Sequence, residues 1–139
     1  MTKEYKELLL KDLCGRLPYG VKASTKVGGN IKISSVEYDT IFGEDGDAYD
    51  VSFITPYLFP LSSMSEEQKY EFYCRFIDYD FCDFDDFKDL YLDNGLLHKL
   101  LTSLDDIEGI VDWFHKNHID YRRLIPKGLA IDATGLNIY

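Results

Sequence analysis

Two histidines three positions apart are the side chains in this sequence best suited to chemistry. His115 and His118 lie near the end of a predicted helix, where that spacing can turn both imidazoles toward one metal ion. A further ligand could come from Asp112, Asp120 or the distant His98. The other interpretation is an ordinary basic helix end that complements the helix dipole, and we favour it over a metal site or a small enzyme site.

The three cysteines, Cys14, Cys74 and Cys82, are odd in number and irregularly spaced, so no disulfide framework is expected. Cys74 and Cys82 stand among aromatic residues, which favours small core side chains. A Cys/His dyad is the alternative, because such partners need only meet in space. Zinc-protease, zinc-finger, phosphate-loop and nucleophile-elbow motifs are all absent. No cofactor is therefore expected, and the catalytic residues are unassigned.

An acidic run alternates with aromatic residues between positions 78 and 93. Its aspartates are Asp78, Asp80, Asp83, Asp85, Asp86, Asp89 and Asp93. In the interpretation we favour, the aromatic rings pack inward and the carboxylates are solvated. In the alternative, the carboxylates imitate the phosphates of a nucleic acid and bind a basic protein, with Asp83, Asp85, Asp86 and Asp89 making the contact.

Composition restricts the class of partner. The 139 residues are 45% hydrophobic and 15% aromatic, as expected of one globular domain over residues 1–139. Fifteen basic residues against 25 acidic residues give a net charge of -10, which disfavours nucleic acids and anionic membranes. Neither a signal peptide nor an apolar run of about 20 residues is present. We expect a reduced, cytoplasmic protein, and the sequence leaves its oligomeric state open.

The first half of the chain predicts a helix over 3–14, ended by Gly15, and then three strands over 21–25, 31–38 and 49–53. A hairpin turn is expected at residues 28–30, where glycines tolerate positive φ. The hydrophobic alternation slips near Ser34–Ser35, which indicates a β-bulge. The acidic loop 43–47 lacks the calcium-binding register of an EF-hand, so it is interpreted as a strand connection. Pro56 and Pro60 are expected to end the sheet segment.

The second half predicts three helices and a short strand. Ser65 and Gln68 form a capping box, and Asp83 and Ser103 are the expected caps of the next two helices. A strand is predicted over 129–133. The resulting fold class is α+β, a small antiparallel sheet with helices packed on one face, in the order α-β-β-β-α-α-α-β.

The last helix and the corner after it have a predicted structural role. A stripe at helical spacing favours burial of Ile107, Ile110, Val111 and Phe114, with Trp113 at least partly buried. In the corner 120–122, Asp120 could cap the following turn, Tyr121 bury its ring and Arg122 pair with a carboxylate. We favour this structural latch over a ligand-binding corner.

Three segments also resemble a known group of proteins. They are LLLKDLCGRLPYGV (8–21), the stretch 56–67, and DWFHKNHIDYRRLIPKGLAI (112–131). They resemble a family of short uncharacterised proteins from gut Bacteroidetes, their phages and mobile elements, a family with no assigned activity. The resemblance implies a bacterial or phage cytosolic protein. The family pattern has Gly and Glu at the positions of Arg123 and Pro126, so neither residue is expected to carry chemistry.

Together these observations favour a non-enzymatic accessory or regulatory protein that acts by contact with another protein. The alternatives are a small enzyme or metal-binding protein using His98, His115, His118 and Asp120, and an acidic mimic of nucleic acid. A pocket on which the three histidines converge would distinguish the second class. Loss of a basic partner on neutralising the acidic run would distinguish the third.

Overall fold

The computed structural model describes residues 1–68, 71–72 and 107–139. Helix α1 is Lys3–Arg16 and helix α2 is Ile107–Lys116. The strands are β1 (Lys22–Thr25), β2 (Asn30–Glu37), β3 (Thr40–Gly43), β4 (Ala48–Asp50), β5 (Ile54–Pro60), β6 (Ile119–Asp120) and β7 (Ile131–Asp132). Single 3₁₀ turns occupy Leu17–Tyr19, Val51–Phe53 and Leu61–Ser63. The predicted α+β class is confirmed.

The strands form one mixed sheet in the order β4-β3-β2-β1-β5-β6, with β7 also paired to β5. The first five strands are antiparallel to their neighbours. This agrees with the predicted antiparallel sheet, although β3 and β5 were not among the predicted strands. The two short C-terminal strands instead pair with β5 in parallel. A parallel return needs a long crossover, and the chain between β5 and β6 supplies it.

The sheet coils strongly because of the short connection between β4 and β5. In a flat sheet, four strand spacings would separate these strands by about 19 Å. The turn Val51–Phe53 joins Asp50 to Ile54, and four residues span at most about 14 Å. Backbone bonds hold both ends of the turn: Val51 N–H donates to Asp39 at 2.8 Å, and Lys26 N–H donates to Phe53 at 3.0 Å. The five strands therefore curl around a common core.

The prediction that Pro56 and Pro60 end the sheet segment was wrong. Both lie in β5, which pairs with three other strands. Proline is rare in central strands because it has no backbone N–H to donate to a neighbouring strand. That rule applies only where a neighbour needs the missing donor.

No neighbour needs a donor at residue 56. Lys26 donates to Phe53, so alternation along the strand turns the nitrogen of Pro56 away from β1. On the opposite side, β7 begins only at Ile131, which pairs with Tyr57. The hydrogen-bond pattern therefore accommodates this proline.

Other boundaries were predicted with mixed success. The hairpin between β1 and β2 and the irregularity between Ile33 and Ser35 are confirmed. Strand β3 was missed, and the predicted strand 49–53 ends at Asp50, where the 3₁₀ turn begins. The predicted stop at Gly15 was wrong, since α1 continues to Arg16.

Two groups of buried side chains stand out among the described residues. One fills the curled sheet beneath α1 and comprises Leu9, Leu13, Val21, Ala23, Ile31, Ile33, Ile41, Val51, Ile54, Leu58, Leu124, Leu129 and Ala130. The other is aromatic. Phe114 stacks on Phe72 and on Tyr121, with ring centroids 5.5 and 5.3 Å apart, and Trp113 meets Phe72 edge-on at 5.2 Å.

The predicted capping box is confirmed, because Ser65 and Gln68 exchange hydrogen bonds at 3.0 and 3.1 Å. The predicted helix caps Asp83 and Ser103 lie outside the described residues. Within the described residues, no helix combines the length and the apolar character that crossing a bilayer requires.

Candidate functional site

A polar cluster lies between the sheet core and the aromatic core. It consists of Asp12 and Arg16 from α1, His115 from α2, and Tyr121 and Arg122 from the turn after β6. Asp12 and Arg16 are fully buried, and His115 is 6% exposed. The α1 residues lie about a hundred positions before the others, so only the folded chain brings the cluster together.

The centre of the cluster is an ion pair within α1. Arg16 Nε lies 2.6 Å from Asp12 Oδ2, and its Nη2 donates to Asp12 Oδ1 at 3.2 Å. The same Nη2 donates to the carbonyl oxygen of Ile119 at 2.7 Å. Arg122 also approaches this carboxylate, with Nε 3.3 Å from Asp12 Oδ1. The α1 helix is thus tied to β6 and to the turn that follows it.

Gly15 is the reason that His115 can enter this cluster. A β-carbon at residue 15 would stand 2.5 Å from His115 Cε1, closer than two carbons can approach. The ring therefore packs directly on the backbone of α1. Its Nε2 shares a hydrogen bond of 2.9 Å with the hydroxyl of Tyr121.

His118 faces different neighbours. It lies two residues after the end of α2 in the left-handed region, with φ of 57°. Its ring stacks on Tyr139 with centroids 3.6 Å apart. The hydroxyl of Tyr139 accepts from the N–H of Lys22 at 2.9 Å and donates to the carbonyl of Tyr57 at 2.8 Å. This second contact fastens residues 118 and 139 to β1 and β5.

Both histidines are held neutral. Burial lowers the pKa of His115 to about 4, assisted by the nearby Arg16 charge. Burial and Arg16 likewise lower the pKa of His118 to about 4. Burial also raises the pKa of Tyr139 to about 12. These groups therefore keep their neutral forms across the physiological pH range.

The predicted latch at the corner 120–122 is confirmed. Both oxygens of the buried Asp120 carboxylate accept backbone N–H bonds, from Leu124 and Ile125, each at 2.8 Å. Arg122 pairs with Asp12, as expected of a carboxylate partner. The ring of Tyr121 stacks on Phe114.

The structure does not bring the predicted metal ligands together where it describes them. His115 contacts Tyr121, His118 contacts Tyr139, and Asp120 caps the following turn. The described part of the chain holds no group of three metal-ligating side chains. Asp112 is exposed and accepts a hydrogen bond from Tyr19. His98 lies outside the described residues, so a metal site that includes it stays a prediction.

The other sequence predictions fare differently. Cys14 is a free, exposed thiol, while Cys74 and Cys82 lie outside the described residues. The acidic run 78–93 does as well, including Asp83, Asp85, Asp86 and Asp89, and its role stays a prediction. The acidic loop is a strand connection, as predicted, with Asp45 accepting the N–H of Asp47 at 3.0 Å.

Sequence reasoning missed Asp12 and Arg16, although a signal was present. The apolar stripe of α1 runs through Leu9 and Leu13, and helical spacing places residues 12 and 16 on the same side. A carboxylate and a guanidinium four positions apart on an apolar face are expected to pair on burial. That pattern could have identified the cluster.

Comparison with protein-family models, with curated proteins and with solved structures gave no match.

Proposed function

We propose that this protein is a non-enzymatic accessory or regulatory protein that acts by contact with another protein. The organisation of the polar cluster supports this. Its carboxylate is paired with two guanidinium groups, and its histidine is neutral and bonded to Tyr121. These interactions fasten helices to the sheet, and contact with a partner protein would involve exposed residues.

The observation that carries the proposal is the conformation of Tyr38. It stands in the tight turn between β2 and β3 with φ of 52°, and it is 90% exposed. Backbone strain of this kind costs about 1–3 kcal/mol, and turns with positive φ ordinarily use Gly, Asn or Asp. An exposed ring gains little within the fold in return. Tyrosine is enriched among the residues that dominate binding interfaces, so we assign it to an interface.

The neighbours of Tyr38 indicate the kind of partner. Glu37 and Asp39 flank it and are exposed, and the whole chain carries a charge of -10. A partner with a basic surface around an apolar pocket would match the ring and the two carboxylates. The bacterial or phage origin and the cytoplasmic location belong to this proposal.

The test is a comparison of Tyr38→Asn with wild type in affinity capture from a lysate of the native host. Asparagine tolerates the left-handed conformation but removes the ring. We expect the variant to lose a specific partner that wild type recovers. That loss should persist when the partner is purified and its affinity is measured.

Val27→Asn is the matched control. Val27 is 73% exposed and stands in the other hairpin, between β1 and β2. This variant should recover the partner as wild type does. Recovery of the same proteins by Tyr38→Asn and by wild type would contradict the assignment of Tyr38 to an interface.

A further inference from the structure

The charged side chains of the polar cluster do not balance one another. Arg16 and Arg122 both pair with the carboxylate of Asp12, so these three side chains sum to one positive charge. The nearby buried carboxylate of Asp120 bonds to backbone N–H groups instead. The adjacent His115 and His118 are neutral and do not change this sum. Arg16 is fully buried and Arg122 is partly exposed, so an anion that paired with both would stabilise the fold.

Unused hydrogen-bond donors accompany the excess charge. Nη1 of Arg16, whose side chain is fully buried, has no hydrogen-bond partner in the described part of the chain. Nε of Arg122 lies within ion-pair distance of Asp12 but donates no hydrogen bond there. A buried donor without an acceptor destabilises the fold. An added acceptor would therefore satisfy donors that Asp12 leaves unused.

We propose that Arg16 and Arg122 together bind a small oxyanion of the size of inorganic phosphate. Both guanidinium groups lie over the ring of Tyr121, 5.8 and 5.0 Å from its centroid, so both are close to the same side chain. The side chain of Arg122 is 23% exposed, which connects the cluster to solvent. Guanidinium groups match the oxygen spacing of phosphate and bind it through paired N–H bonds.

A carboxylate of the protein itself, from residues outside those described, is the competing acceptor. It would satisfy the same donors without any ligand. The two differ in one measurable respect: only an external anion makes stability depend on its concentration, because a ligand that binds the native state stabilises it by mass action.

The experiment uses inorganic phosphate as the probe, with sodium chloride at equal ionic strength as the reference. Thermal unfolding and isothermal titration calorimetry are measured for wild type, Arg122→Gln and Arg123→Gln. Arg123 is the adjacent, exposed arginine, so its variant removes the same charge outside the cluster. Arg122→Lys serves as a second variant, which keeps the positive charge but loses the paired N–H donors of the planar guanidinium group.

We expect phosphate to raise the melting temperature of wild type and Arg123→Gln above the chloride reference. In Arg122→Gln, affinity should fall by about 10-fold or more, the factor that corresponds to one lost charge-assisted hydrogen bond. Arg122→Lys should bind with intermediate affinity. A phosphate effect no larger than that of chloride, or an equal effect in Arg122→Gln and wild type, would overturn the proposal in favour of an internal carboxylate.

Discussion

The contact with His115, which is distant in sequence, explains why residue 15 of helix α1 is glycine. Glycine weakens a helix interior by roughly 0.5–1 kcal/mol relative to alanine. In this protein the backbone at residue 15 receives the ring of His115, which alanine would obstruct. The ring is buried and bonded to Tyr121, so it cannot move aside freely.

Gly15→Ala should therefore destabilise the protein, although the same change stabilises an isolated helix. Forcing a methyl group into a filled space costs about 1–3 kcal/mol, which exceeds the gain in helix propensity. The measurement is the free energy of unfolding in urea. In a His115→Ala background the same substitution should become neutral or stabilising, because the obstructing ring is gone. A stabilising effect in wild type would contradict the close packing.

At the scale of the element, α2 is the segment whose role the sequence predicted best. Helical periodicity correctly placed Ile110 and Phe114 in the core, and Trp113 is also buried, at 2% exposed. Val111 is only half-buried, and the side chain of Ile107 lies outside the described residues. The pattern succeeded because an amphipathic helix buries its apolar stripe wherever it packs.

Phe114→Ala should lower the free energy of unfolding by about 3–5 kcal/mol, since the ring is fully buried between Phe72 and Tyr121 and its loss leaves a cavity. Chemical denaturation measures the change. Val111→Ala is the matched control on the same helix and should cost much less. Equal losses for both variants would show that Phe114 does not occupy the core.

The pairing of distant segments was harder to predict from the sequence than the helices and strands themselves. Alternation and glycine turns identified the first hairpin and the bulge at Ser34. Pro56 fits a central strand only because no neighbouring strand needs a backbone N–H at that position. The effect of the short connection Val51–Phe53 on the coiling of the sheet can be recognised only once the pairing of the strands is known. The polar cluster likewise depends on contacts between residues about a hundred positions apart, such as the hydrogen bond from Arg16 to the carbonyl oxygen of Ile119.

At the scale of the whole molecule, the two neutral histidines couple folding to pH. Their pKa is about 4 in the native state and about 6.5 in an unfolded chain. Between these values the unfolded state binds more protons, so the free energy of unfolding rises with pH. The contribution is fully present above about pH 6.5 and is lost as pH falls toward 4.

Each titrating histidine should contribute a slope of up to about 1.4 kcal/mol per pH unit in this window. Urea unfolding at several pH values between 4.5 and 7 (about the range of the transition) measures it. His118→Phe keeps a ring against Tyr139 and should reduce the slope. An equal dependence of the unfolding free energy on pH in His118→Phe and wild type would contradict a neutral His118 in the native state.

The most direct test of the central claim is the unfolding free energy of Tyr38→Asn. If Tyr38 is held in a strained conformation for contact with a partner, asparagine should relieve the strain at the turn and stabilise the isolated protein. A gain of about 0.5–1 kcal/mol is expected from the left-handed preference alone. The account predicts this gain together with lost partner recovery. A loss of stability would contradict it, because the ring would then contribute to the fold.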